Sequence, residues 1–232
     1  MLLDFLILIH LVLMTYWLGS DIGVFYAAKF VNKPDISLET RLMIRRIMHW
    51  VDLLPRMCMV LMLPSGVSLM AAHPRGDVFG WPIVAGTWVI ALVWLSAVVY
   101  QFRMVGHGDT TTRQFKIVTW ADFRWRIILV VTLVGSGLYT MFADEPFGVD
   151  DTNPAWLGAK VSLYGLAIAC GLGIRIAAKP GGPAFQRLLN EGPTPEIIAV
   201  LDKSMKKSLP FVYVIWTLVV VIAFLGVAQP GA

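Results

Sequence analysis

Six ionisable side chains interrupt stretches of this 232-residue chain that are otherwise apolar: His10, Asp21, His49, Asp52, Arg56 and Lys160. A charge or imidazole placed in hydrocarbon is costly unless it is paired, ligated or hydrated, so each of the six is a candidate for chemistry. His49, Asp52 and Arg56 are spaced by three and four residues, which puts them on one helical face and lets Asp52 pair with Arg56 one turn on. Asp52 and Arg56 suit a proton or quinone path, and they equally suit a self-neutralised structural pair near the membrane surface. His10 has no acid beside it on its own helix, where its one-turn neighbours are Leu6, Ile7, Leu13 and Met14. Its partner must come from another helix: an iron, a copper ion, or a hydrogen-bonding side chain such as Tyr, Ser or Thr.

The elements that must position these groups are six apolar runs long enough to cross a bilayer, roughly Leu2–Ala28, Ile44–Ala72, Pro82–Phe102, Trp125–Ala143, Ala155–Ala177 and Leu209–Ala228. A hydrophobic content of 57% exceeds what a soluble core of this length requires, and one bundle accounts for the whole chain. All Lys and Arg residues except Arg56, Arg75 and Lys160 lie at three junctions, those between runs one and two, three and four, and five and six. By the positive-inside rule these loops are cytoplasmic and both termini lie outside, in a multi-pass protein of a bacterial-type inner membrane. Basic residues placed in this way serve anionic headgroups and membrane insertion, so nucleic acid is not an expected partner. The N-terminal run begins with an acid at Asp4 and no basic region, and is expected to stay as a first helix.

Two further patterns organise the bundle. Leu63-Pro64-Ser65-Gly66-Val67-Ser68-Leu69-Met70 resembles Val134-Gly135-Ser136-Gly137-Leu138-Tyr139-Thr140-Met141, and a proline follows each at Pro74 and Pro146. The match suggests a tandem hairpin repeat, helices two and three against four and five. The long fifth loop opens with Pro180-Gly181-Gly182-Pro183, and Glu196–Lys207 is expected to form a short amphipathic surface helix begun by Thr194 or Pro195. Trp81, Trp88, Trp120, Trp125 and Trp156 cluster near helix ends as interfacial anchors.

Depth sorts the polar groups into two layers. At about 1.5 Å per residue, His10 lies about 12 Å and Lys160 about 8 Å from the outer surface, with Met62 and Gly66 at similar depth and Met59 nearer the midplane. His49 lies about 8 Å from the opposite surface, so the two imidazoles cannot share one metal. Haem is one group the outer layer could hold: His10 as axial ligand, Gly66 and Gly137 against the flat face, Lys160 for propionates, and Met62, Met59 or Lys160 at the sixth position. Copper is the alternative. Eleven methionines, among them Met48, Met57, Met59, Met62 and Met70, offer soft thioethers for Cu(I), with His10, His73 and Cys58 able to join them. Cys58 and Cys170 read as small apolar residues, and no CxxCH segment supports covalent c-type haem. A third reading is an anchor or assembly subunit without its own cofactor. No Gly-x-Ser-x-Gly, HExxH or Walker segment occurs, which sets hydrolases aside.

The first run, His10 through Trp17 and Gly19 to Phe25-Tyr26, resembles the opening helix of the HemJ-type protoporphyrinogen oxidases and the related CopD-like membrane proteins. Arg45-Arg46-Ile47-Met48 is similar to the basic start of that family's second helix, and Trp156-Leu157-Gly158-Ala159-Lys160 to its Trp-Leu-x-x-Lys segment. Pro210 and Pro230 bracket the last helix in the same manner. The resemblance implies a six-helix fold holding haem b, with His10 as axial ligand and Lys160 in the haem pocket. Arg45, Arg46 and His49 become further cofactor contacts, and Lys160, Arg56 and Asp52 the catalytic groups. It also implies electron transfer or oxidation of a lipophilic substrate, with a quinone or a redox protein at the cytoplasmic face, and further copies of the chain, as partners. The chain departs from that family in length and in having Ala169-Cys170-Gly171 where a further His is expected, which leaves haem binding better supported than protoporphyrinogen oxidation.

Overall fold

In lipid every backbone N–H and C=O must find its partner within the protein, and apolar runs of this length meet that condition as helices. The structure, a computed structural model, describes residues 1–31, 33, 35–72, 80–143 and 155–230. Among the described residues there are eight α-helices and no strand: α1 (Leu2–Val31), α2 (Leu38–Val51), α3 (Leu53–Ala72), α4 (Trp81–His107), α5 (Arg113–Phe142), α6 (Ala155–Ala178), α7 (Gly181–Glu191) and α8 (Pro195–Ala228). Six helical stretches are long and apolar enough to cross a membrane, α2 with α3 and α6 with α7 each counting as one. This is an all-α, six-span integral membrane architecture. His73, Pro74, Arg75, Asp77, Asp144, Glu145, Pro146, Asp150 and Asp151, which entered the charge, repeat and copper readings, lie outside the described residues.

At the end of the bundle that carries the basic loops, the helices run further than the apolar runs predict. The reason is local capping. Ser37 accepts from the Thr40 N–H to start α2, Thr112 accepts from the Phe115 N–H to start α5, and Gly108 closes α4 in the left-handed conformation at φ 79°. Lys and Arg stems lie along such helix ends while their heads reach water, so charge does not stop the helix. The longer α5 brings Asp122 and Arg124 from an expected loop into helix, in line with Arg126.

Two expectations are corrected. The second span is not one straight helix: α2 ends at Val51, Asp52 caps it, and α3 restarts at Leu53. Pro55 has no N–H to offer the Val51 carbonyl, so the ladder breaks there, while Asp52 and Arg56 still pair one turn apart as their spacing predicts. Conversely, Glu196–Lys207 is not a separate surface helix. Thr194 caps it and Pro195 begins it as expected, but α8 then continues through Pro210 to Ala228. The separate short amphipathic helix is α7, whose Ala184, Phe185 and Leu188 pack with Ile197 and Leu201 of α8 and Val31 of α1 in a small second core.

Buried donors close the helix ends at this end. The Arg41 guanidinium, 1% exposed, donates to the Val31 carbonyl and, at 2.8 Å, to the Lys33 carbonyl, closing α1. Ser204 of α8 donates to the Ala177 carbonyl of α6 at 3.1 Å. Arg41→Ala is expected to lower stability by about 2 kcal/mol, the scale of a lost charge-assisted pair of bonds, with Arg41→Lys recovering part of it. Thermal unfolding in detergent checks this, and an unshifted midpoint for Arg41→Ala would count against the cap.

The spans form two halves. α1 packs on α3 and α3 on α4; α5 packs on α6 and α6 on α8; contacts of α1 with α8 and of α4 with α5 are sparse. Side chains that cross the seam between the halves form the main core, built on Trp17, Met59, Val60, Trp94, Tyr164, Ile168 and Val219. The glycines that the suggested repeat equates make different contacts: Gly66 meets the His10 ring, and Gly137 meets the backbone of α6 at Gly158.

Candidate functional site

The inward stripe of α1 carries His10, Met14, Trp17 and Asp21 at a spacing of three and four, so one face delivers an imidazole, an indole and a carboxylate to the seam. His10 lies at the end of the bundle where both termini fall. Its Nδ1 is 2.8 Å from Ser65 Oγ, and the Ser65 hydroxyl donates to the Met62 carbonyl at 3.2 Å. The contact occupies one ring nitrogen, with the direction of the shared proton set by the imidazole tautomer, and no other hydrogen bond of the His10 ring is present among the described residues. A hydrogen bond on one ring nitrogen fixes the tautomer and raises the basicity of the other, the arrangement that suits a metal ligand or proton acceptor.

Lys160 is the charged neighbour of His10 across the seam. Its Nζ occupies the space beside Gly226 of α8, where a Cβ would lie 2.5 Å away. His10, Gly66, Met62 and Lys160 of the predicted outer layer therefore lie around one site, joined by Ser65, with the glycines in other roles than expected. A Cβ on Gly66 would lie 3.6 Å from His10 Cε1, so the bare face of Gly66 is covered by the imidazole. A Cβ on Gly137 would lie 2.3 Å from Ser162 Oγ and 2.5 Å from the Gly158 carbonyl. The face of Gly137 expected to meet a cofactor meets a helix instead.

Met62 and Met59 are both buried. The Met59 carbonyl accepts from Tyr164 Oη at 2.6 Å, and its Sδ faces Arg126 Nη1 at 3.8 Å. A guanidinium beside a thioether opposes a second cation there, which weakens Met59 as a copper ligand. Met62 has no such neighbour among the described contacts. Among the described residues no three His, Cys, Asp or Glu side chains converge on one point.

The remaining predicted residues lie toward the basic end. Asp52 and Arg56 form the expected ion pair, partly open to the surroundings. Asp21 accepts from Trp216 Nε1 at 2.7 Å within a cluster of Phe25, Tyr213 and Trp216. His49 stacks on Phe102 at 4.1 Å with 6° between the planes, and its Nε2 is buried without a hydrogen-bond partner. Arg45 lies over the Phe185 ring at 3.6 Å, and Arg46 is exposed. Arg45, Arg46 and His49 thus belong to the opposite layer from His10.

A larger polar group was not foreseen. Asp122, its side chain 1% exposed, accepts from Trp94 Nε1 at 2.9 Å, from Arg126 Nε at 3.2 Å and from Arg175 Nη1 at 2.8 Å; Arg175 also donates to Gln101 Oε1 at 3.0 Å. One carboxylate thus joins α4, α5 and α6 and faces two guanidiniums. The sequence signal was the one-turn spacing of Asp122 and Arg126, hidden because the fourth span had been started at Trp125. No family model matches the chain, and neither does any curated protein or solved structure.

Proposed function

We propose that this integral membrane protein is a redox protein that works through the layer of His10, Ser65 and Lys160, with haem b as the group it holds. The observation that carries the reading is the 2.8 Å contact of His10 Nδ1 with Ser65 Oγ on the seam, which orients the imidazole through one nitrogen and leaves Nε2 for a ligand. The residues fit the group in their donor chemistry: an oriented imidazole for the iron and an ammonium beside it for a propionate. Gly66 and Gly137 do not serve its flat face, which must rest on other apolar surface along the seam. Bound haem supplies one-electron exchange with a lipophilic donor or a quinone. Ser65 holds the imidazole in one tautomer, Lys160 contributes positive charge, and Trp17, Tyr164 and Met59 exclude water from beneath the site.

The reduced-minus-oxidised spectrum of protein purified in mild detergent tests this. A b-type Soret and α-band are expected in the wild type, absent in His10→Ala, with Ser65→Ala retaining haem at roughly ten- to a hundred-fold weaker affinity, the cost typical of losing a supporting hydrogen bond. A spectrum without a Soret band, or one that His10→Ala leaves unchanged, overturns the reading. Metal analysis on the same samples separates it from copper handling, in which Met62→Leu would remove the metal and no porphyrin would be found.

A further inference from the structure

At the basic end, where α5 and α6 emerge, a cleft of about 310 Å³ is lined by Phe115, Lys116, Thr119, Trp120, Phe123 and Arg175. Neither the His10 layer nor the Asp122 cluster accounts for its chemistry. Three aromatic rings make its walls apolar. Lys116 is exposed at its rim, and the Arg175 side chain is 35% exposed. Asp122 neutralises only one of Arg126 and Arg175, so the site keeps an excess positive charge, and no carboxylate lines the cleft. The Arg175 guanidinium has five N–H donors and uses one on Asp122 and one on Gln101, which leaves three. Arg124, stacked over the Trp120 ring at 3.7 Å, adds a further cation at the mouth.

We propose that this cleft is a binding site for the phosphate headgroup of an anionic membrane lipid. Lys116 and the free N–H groups of Arg175 take the phosphate oxygens, and the acyl chain runs along Phe115, Trp120 and Phe123. Free phosphate satisfies the cations but leaves the rings without a partner; an uncharged lipid satisfies the rings but carries no net charge for the cations. The cleft offers both, at the level where headgroups meet the helix ends.

The full chain is purified, exchanged through mild detergent with phosphatidylglycerol or phosphatidylcholine, and examined by native mass spectrometry and thermal unfolding. Phosphatidylglycerol is expected to stay bound and raise the unfolding midpoint, while phosphatidylcholine and inorganic phosphate do not. Lys116→Gln, at an exposed position, is expected to weaken retention about five-fold, the effect of one interfacial cation. Lys203→Gln with Lys206→Gln, basic positions on α8 away from the cleft, is the control for diffuse attraction and should leave retention unchanged. The proposal is overturned if the α8 control loses lipid as readily as Lys116→Gln, if phosphatidylcholine is retained equally, or if inorganic phosphate alone reproduces the stabilisation.

Discussion

Asp122→Ala is expected to leave little folded protein, because it removes one carboxylate and strands two cations. The Arg126 side chain is 12% exposed and, with Asp122 gone, keeps the Met59 sulfur as its one described hydrogen-bond partner. Breaking a buried pair by deleting one member costs about 3–5 kcal/mol, since the remaining charge has lost its counterion and cannot reach water. Against a total stability of about 5–15 kcal/mol, that is the largest single loss open to a point substitution here. The loss is also spread over three helices, as Trp94 loses its acceptor and Arg175 loses its link to α5. Asp122→Asn keeps the acceptor for Trp94 but not the charge, and should fall between.

The double variant Asp122→Leu with Arg126→Met separates two roles for this cluster. Replacing a buried ion pair by apolar side chains of similar volume is often neutral or stabilising, so the double variant is expected to be more stable than Asp122→Leu alone, while Arg126→Met alone keeps the Asp122–Arg175 pair and is the mildest of the three. Detergent extraction followed by size-exclusion and thermal unfolding measures all four proteins. If Asp122→Ala melts with the wild type, the ion cluster is not what ties α4 to α5 and α6. If the double variant folds but fails in electron transfer, the cluster serves function as well as assembly.

This cluster also shows where sequence reading succeeded and where it stopped. The six spans were legible because lipid imposes long apolar runs, and the basic loops stood out because charge is excluded from those runs. The same rule concealed the cluster: a hydropathy boundary drawn at Trp125 excluded the turn that contains Asp122, although that turn is helical and its carboxylate is buried. Helix ends at the basic side obey capping by Ser37, Thr112 and Gly108, signals that were present in the sequence but were outweighed by the surrounding charge. The three- and four-residue spacing of His10, Met14, Trp17 and Asp21 is visible in the sequence, but only the packing shows that this face of α1 turns to the seam. The partner of His10 did not follow, because Ser65 is 55 positions away and one hydroxyl among many. The roles of the glycines were the least legible: sequence shows a missing side chain, and only the packing shows whether an imidazole, an ammonium or another backbone takes the space.

Gly137→Ala is expected to separate α5 from α6 and lower stability by about 3 kcal/mol or more, the upper range for overpacking. The added methyl would fall 2.3 Å from Ser162 Oγ, 2.5 Å from the Gly158 carbonyl and 2.7 Å from the Ser162 backbone nitrogen. Two of these are backbone atoms of a helix and cannot turn aside, so the helices must part, and Gly165 against Leu133 and Val134 would lose its fit in the same movement. Gly135→Ala, two residues earlier and facing open space, is expected to change stability by less than about 0.5 kcal/mol. Gly66→Ala, at ordinary contact distance from His10, should also be mild in stability while testing the imidazole's freedom to ligate. The comparison distinguishes a packing glycine from one that faces a cofactor. A packing glycine lowers the unfolding midpoint with or without haem present, whereas a cofactor-facing glycine lowers only haem retention. Equal midpoints for Gly135→Ala and Gly137→Ala would mean that α5 and α6 do not meet along this line.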